Sequence, residues 1–130
     1  MVDTKNRFFG RRFSRPLSAA RQKLISEVLP KMEISRESAA TIFKDFDPAK
    51  KKYCLEIGFG SGEHLAHMVR QRPNVGFIGC EPFINGVAAL ISRTQSTNIQ
   101  IPPKNLKIFP DDVRLLFPEL SDAVFNRIYM

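Results

Sequence analysis

A glycine-rich turn between a short strand and a helix constrains the fold more than any other feature of this sequence. Residues 53–57 (Tyr-Cys-Leu-Glu-Ile) are predicted to form a strand, glycines follow at positions 58, 60 and 62, and residues 63–72 are predicted to form a helix. A strand, glycine turn and helix in this order open the nucleotide-binding half of doubly wound α/β domains. The turn therefore favours a Rossmann-like parallel sheet.

The rest of the chain repeats the alternation of strand and helix. Strands are predicted at 75–80, 106–109 and 125–130, with a helix over 82–94 that has Pro82 in its first turn and a short helix over 113–117 capped by Asp112. Such alternation predicts a parallel sheet. Because the sequence stops inside the fourth strand, we expect an incomplete domain, the N-terminal part of a longer protein; the alternative is a small domain ending in an edge strand.

Three segments are expected along the chain: a basic arm (1–16), a helical extension with a linker (17–52), and the first half of the ligand-binding domain (53–130). Within the extension, Ser18 is predicted to cap a helix that runs to Leu29 and is stopped by Pro30. A weaker helical stretch is expected from Ser35 to Phe46.

Positive charge is concentrated at the N-terminus. The net charge is +7, and residues 1–23 hold seven basic residues against one acidic residue. Arg11, Arg12 and Arg15 lie among phenylalanines, a composition that suits phosphate backbones and unstacked bases. We therefore predict nucleic-acid contact by these arginines; the alternative is a solvated terminus.

Composition excludes several classes of protein. The 130 residues suit one globular unit, no apolar run approaches the length of a membrane span, and no secretory signal is present. Two cysteines are too few for a disulfide scaffold, and His64 and His67 lack a third ligand at metal spacing. We expect a cytoplasmic protein without a metal site and without membrane association.

Three acidic residues are predicted at the carboxyl ends of three successive strands: Glu56, Glu81 and Asp112. Ligands of doubly wound sheets bind at this edge. Glu56 and Glu63 disfavour a pyrophosphate and suit a cationic ligand, which argues against a nicotinamide dinucleotide and for S-adenosylmethionine, a ligand with a sulfonium and an ammonium group but no phosphate. Gly58 and Gly60 would let the backbone approach it closely.

Each acid then has a predicted role and a plainer alternative. Glu81 is predicted to accept hydrogen bonds from the ribose hydroxyls, and Asp112 from the adenine amino group, with Asp111 as its substitute if the register is shifted by one. The alternatives are a helix-start charge for Glu81 and an N-cap for Asp112.

Residues 55–64 (Leu-Glu-Ile-Gly-Phe-Gly-Ser-Gly-Glu-His) closely resemble motif I of the bacterial tRNA (guanine-N7)-methyltransferases, a class I family dependent on S-adenosylmethionine. The resemblance extends to residues 77–83, to Asn105-Leu106 followed by Asp112, and to residues 8–12 and 21–22. It implies methyl transfer to N7 of the guanine at position 46 in the variable loop of tRNA. It also implies cofactor roles for Glu56, Glu81 and Asp112.

The resemblance leaves part of the site outside this sequence. The family's catalytic acid belongs to a Pro-Asp-Pro-Trp segment that we expect beyond Met130, so no catalytic residue is predicted here and the 130 residues alone should be inactive. Another class I methyltransferase and a non-catalytic RNA-binding protein remain the alternatives. The oligomeric state, monomer or homodimer, is left open.

Overall fold

The computed structural model describes residues 16–39, 46, 52–95, 102–120 and 125–130. Within them, four parallel strands form one sheet in the order β3-β2-β1-β4. The strands are β1 (Lys52–Ile57), β2 (Val75–Cys80), β3 (Leu106–Phe109) and β4 (Arg127–Tyr129). The chain runs outward from β1 to β3 and returns on the other side of β1, so the strand order reverses between β1 and β4. The predicted parallel α/β sheet is confirmed.

Both faces of the sheet are covered. Helices α2 (Glu63–Gln71) and α3 (Ile84–Thr94) follow β1 and β2, and their buried side chains pack with those of one face. Side chains alternate along a strand, so Cys54 lies in the core on the helical side and Leu55 in the core on the other side. The core on the side of Leu55 is completed by residues from outside the sheet, among them Ile34, Ala39, Phe46 and Leu116.

The N-terminal extension begins with α1 (Ala19–Lys23), and the Oγ of Ser18 accepts a hydrogen bond from the Arg21 backbone N–H at 3.2 Å. The predicted cap is confirmed, and the helical path reaches Leu29 as predicted, but only Ala19–Lys23 form an α-helix. The chain continues as one turn of π-helix over Leu24–Val28 and one 3₁₀ turn over Leu29–Lys31.

Pro30 accounts for this change of helix type. A proline ring collides with the carbonyl four residues earlier in an α-helix, and a wider turn before it relieves the collision. Pro30 lies inside the 3₁₀ turn, so it does not stop the helical path at Leu29 as predicted.

The extension then joins the sheet at the outer edge of β3. Glu33 forms a parallel bridge with Ile108. The Ile108 N–H donates to the Met32 carbonyl at 2.9 Å, and the Ile34 N–H donates to the Ile108 carbonyl at 2.8 Å. Residues 32–34 thereby satisfy backbone groups that an open edge strand would leave exposed.

Three further predictions are corrected in detail. Helix α3 begins at Ile84, so Pro82 precedes it. The chain after Asp112 forms two 3₁₀ turns, Val113–Leu115 and Phe117–Glu119, in place of one short α-helix. The strand predicted over 125–130 is shorter, as the bounds of β4 show.

The helical stretch expected from Ser35 is seen only at its start. Ser35 and Ser38 exchange backbone-to-hydroxyl hydrogen bonds of 3.1 Å in a single turn, and residues 40–45 lie outside the described part of the chain. No helix among the described residues is both long and apolar enough to cross a membrane.

Candidate functional site

The glycine turn after β1 has a left-handed backbone at Gly58 (φ +68°), Gly60 (φ +62°) and Gly62 (φ +81°). Side-chain-bearing residues rarely adopt this conformation. A Cβ added to Gly58 or Gly60 would meet no described atom within 4 Å, whereas one added to Gly62 would lie 2.7 Å from the Leu90 side chain. Gly62 thus serves the packing of α2 on α3, and Gly58 and Gly60 leave open space for a ligand.

Glu81 is the acid that organises this turn. It follows β2 and is buried; its Oε1 accepts the Gly60 N–H at 2.8 Å and its Oε2 accepts the Phe83 N–H at 3.1 Å. The second bond holds Phe83 in an extended conformation, which explains why α3 starts later than predicted. Each carboxylate oxygen accepts more than one hydrogen bond, so Glu81 retains capacity for hydroxyl groups of a ligand.

Gly86, in the first turn of α3, packs against the glycine turn, a contact that the sequence analysis missed. A Cβ there would lie 2.1 Å from the Gly60 carbonyl oxygen. The Glu81 carboxylate therefore binds the Gly60 N–H, and the backbone of α3 packs closely against the Gly60 carbonyl. A glycine inside an otherwise good helical pattern is the signal that indicates such close packing.

Asp112 caps the first 3₁₀ turn after β3. Its Oδ1 accepts the Arg114 backbone N–H at 2.9 Å, and both of its oxygens accept hydrogen bonds from the Arg114 guanidinium. These bonds hold the pKa of the Asp112 carboxyl below its usual range. The N-cap role weighed for Asp112 is thus confirmed, and its role toward adenine stays a prediction. Asp111 accepts the Asp112 N–H at 2.8 Å.

A cleft of about 420 Å³ brings together several of the predicted residues at the carboxyl ends of β1, β2 and β3. Three acidic residues, one arginine and several apolar residues line it. Its lining is Ile57, Gly58, Cys80, Glu81, Pro82, Asp111, Asp112, Val113 and Arg114.

Cys80 keeps the wall of this cleft uncharged. Burial, and next the nearby carboxylates of Asp112 and Glu81, raise the pKa of its thiol to about 12. Cys80 therefore acts as a small apolar residue, as predicted.

A second cavity, of about 570 Å³, lies on the α3 side of the glycine turn. Gly60, Ser61, Phe83, Asn85 and Gly86 contribute to its wall, and α1 and the residues before it form the facing side. The predicted residue Gly60 thus faces this second cavity, while Gly58 faces the first.

Glu56 is the predicted acidic residue that does not line the cleft of Glu81 and Asp112. It lies near the end of β1, where the strand order reverses, and its side chain is 13% exposed. Its Oε1 accepts a hydrogen bond from His64 Nδ1 at 2.9 Å, whereas its Oε2 is buried and has no hydrogen-bond partner among the described residues. A buried carboxylate oxygen without a donor suits a cationic ligand group.

The remaining predicted residues, Arg11, Arg12 and Arg15, lie outside the described part of the chain. The described site thus consists of the glycine turn, the cleft on one side of it, and Glu56 with its unpaired oxygen.

Comparison with known proteins gives a methyltransferase match. The family described as "Putative methyltransferase" matches residues 50–130. A solved structure entitled "Structure of an Antibiotic Related Methyltransferase" superposes with a TM-score of 0.51 at 15% identity, covering 73% of this chain and 45% of that one. At this identity the superposition supports the fold alone.

Curated relatives are similar over nearly the whole chain. Three proteins named tRNA (guanine-N(7)-)-methyltransferase, from Paramagnetospirillum magneticum, Chelativorans sp. and Bradyrhizobium diazoefficiens, are each 38% identical to it. The alignments cover 95%, 93% and 97% of this chain but 52%, 51% and 52% of the relatives, so the chain spans about half the length of the curated relatives it matches. Since the family match covers more than half of its residues, the chain belongs to this methyltransferase family.

Proposed function

We propose that the protein carrying this sequence is a tRNA (guanine-N7)-methyltransferase that uses S-adenosylmethionine and acts on guanine 46 of the variable loop. The observation that carries the substrate assignment is the shared name of relatives that align with more than nine-tenths of this chain. The geometry of the site supports the cofactor independently.

The acidic edge of the sheet fits the charges of S-adenosylmethionine. The unpaired Oε2 of Glu56 suits its ammonium group, and the open space at Gly58 and Gly60 would be filled by any side chain other than hydrogen. Glu81 and Asp112 line the same cleft as Gly58, an arrangement that suits a sugar and a base with hydrogen-bond donors. A pyrophosphate would meet three carboxylates here, which disfavours a dinucleotide.

Each residue then has a binding role. Glu56 binds the ammonium group, Glu81 accepts from the ribose hydroxyls with the lone pairs that Gly60 and Phe83 leave free, and Asp112 accepts from the adenine amino group. Asp112 keeps its negative charge at neutral pH because the hydrogen bonds from Arg114 lower its pKa. When bound, S-adenosylmethionine supplies the methyl group.

Methyl transfer to guanine N7 requires the protein mainly to position the base and the cofactor. Guanine N7 carries a lone pair and no proton, so no base is needed to activate it. Alignment of the reacting groups supplies a large part of the rate in such transfers. The glycine turn, which is bonded to Glu81 and packed against α3, serves that alignment. No described residue is assigned a catalytic role.

Contact with tRNA is proposed for Arg11, Arg12 and Arg15. Seven basic residues among the first 23 provide a source of phosphate contacts, and such contacts weaken as salt concentration rises. Removing residues 1–15 should weaken tRNA binding and leave cofactor affinity unchanged; equal losses in both would show that the arm supports the fold instead.

The decisive experiment is methyl transfer from labelled S-adenosylmethionine to an unmodified tRNA transcript by the complete gene product. We expect label at N7 of guanine 46, and none in a matched transcript with adenine at that position. Label on a different nucleotide would indicate another RNA methyltransferase. Cofactor binding without label on any tRNA would contradict the proposed substrate.

A further inference from the structure

We propose that His64 is a positioning residue that fixes the carboxylate of Glu56, so that its buried, unpaired oxygen receives the ammonium group of the cofactor. The inference rests on the proposed function, because it takes S-adenosylmethionine as the ligand. It adds a role for a residue that the sequence analysis weighed only as a metal ligand.

Three residues from three elements form the cluster that carries this inference. Glu56 is in β1, and Tyr129 is its register partner in the neighbouring strand β4. His64 is in the first turn of α2. The His64 and Tyr129 rings meet edge to face, with centroids 5.2 Å apart and an interplanar angle of 69°. The cluster lies where the strand order reverses, the place where sheets of this kind bind ligands.

The hydrogen bond from His64 occupies one oxygen of Glu56 and leaves the other available to the ligand. A carboxylate only accepts, so His64 Nδ1 carries the proton in the 2.9 Å contact with Oε1. The other oxygen, Oε2, is buried without a partner. A carboxylate with both oxygens free would rotate, whereas one anchored at Oε1 presents Oε2 in a fixed direction. Preorganisation of this kind raises affinity by reducing the ordering cost of binding.

Tyr129 restrains the imidazole in turn. Its ring packs on His64, and the Arg127 guanidinium carbon lies 5.9 Å from the centroid of the same ring. The imidazole is 52% exposed, so without this packing it would retain freedom to turn away from Glu56. His67 is the other histidine of α2 and is exposed, so His67→Phe is a matched control.

The test measures the binding of two ligands by calorimetry. S-adenosylhomocysteine contains the ammonium group, and 5′-methylthioadenosine lacks the whole amino-acid end. His64→Phe keeps a ring against Tyr129 but removes the donor, and His64→Asn places an amide donor where Nδ1 stands. We expect His64→Phe to weaken S-adenosylhomocysteine about tenfold, as befits a hydrogen bond to a charged group, and to leave 5′-methylthioadenosine unchanged.

Rescue completes the test. His64→Asn should bind S-adenosylhomocysteine within about threefold of the unchanged chain, and His67→Phe should bind both ligands as the unchanged chain does. Equal weakening of both ligands by His64→Phe, or no weakening of either, would overturn the positioning role. If the unchanged chain binds neither ligand, the proposed cofactor fails and this inference fails with it. Thermal unfolding of each variant shows that it is folded.

Discussion

Replacing Gly86 by alanine tests the view that α3 and Glu81 together hold the glycine turn. The new Cβ would lie 2.1 Å from the Gly60 carbonyl oxygen, and both atoms belong to backbones, so no side chain can rotate away. Carbon and oxygen need more than 3 Å between them, and the turn or the helix must therefore move by about 1 Å.

The expected magnitude combines two costs with one smaller gain. Overpacking of this size costs about 1–3 kcal/mol, and losing the Gly60 hydrogen bond to the Glu81 carboxylate costs about 1.5–3 kcal/mol more if the turn moves away. The higher helix propensity of alanine offsets at most about 1 kcal/mol. We expect a net loss of about 2 kcal/mol in the free energy of unfolding and about a tenfold loss of S-adenosylhomocysteine affinity.

Urea unfolding and calorimetry measure these two quantities. Ser92→Ala is the matched control, because Ser92 is exposed on the same helix and its replacement should change stability by less than about 0.5 kcal/mol. A Gly86→Ala chain that is as stable as the unchanged chain and binds the ligand equally well would refute the close contact between α3 and the turn.

Three further outcomes are expected. Glu81→Ala should lower both the free energy of unfolding and the free energy of cofactor binding, each by about 1–3 kcal/mol, because the carboxylate also accepts from two backbone N–H groups. Urea unfolding and calorimetry measure the two quantities, and a loss of affinity without a loss of stability would contradict the structural role of Glu81. Asn105→Ala should destabilise the chain by about 2 kcal/mol in urea unfolding, since the buried Asn105 amide donates to the Val69 and Arg72 carbonyls at 3.0 and 3.1 Å; an unchanged midpoint would refute this. The pKa of Cys80 is raised above its ordinary value of 9.0, so its contribution to stability is complete below pH 9 and is lost as pH rises toward 12; Cys80→Ala should flatten that fall in alkaline unfolding curves, and parallel curves would contradict it.

The sheet was predictable because each strand is a short apolar run bounded by turn residues. The glycines at 58, 60 and 62, the acid near the end of β1 and the acids that follow β2 and β3 predicted a site at one edge. That inference needs only the rule that parallel strands end together.

The details that escaped prediction depend on contacts between residues distant in sequence. Pro82 suits a first helical turn by its own geometry, but Glu81 takes the Phe83 N–H and delays the helix. Gly86 resembles a tolerated helix glycine until Gly60 is placed beside it. The pairing of His64 with Glu56 joins a helix to a strand across the turn, and the sequence gives no signal for it. From the sequence, His64 and His67 were weighed only as metal ligands, and no third ligand follows at the required spacing.

Pairing of residues 32–34 with β3 also bears on the order of folding. Glu33 meets Ile108, about 75 residues later in the chain, and contacts of such long range slow folding because the loop must close first. During synthesis at about 5–20 residues per second, the extension would wait roughly 4–15 seconds before its partner strand emerges. The sheet edge that it covers is thus completed late, and a ribosome stalled before β3 would hold an extension with nothing to pair with.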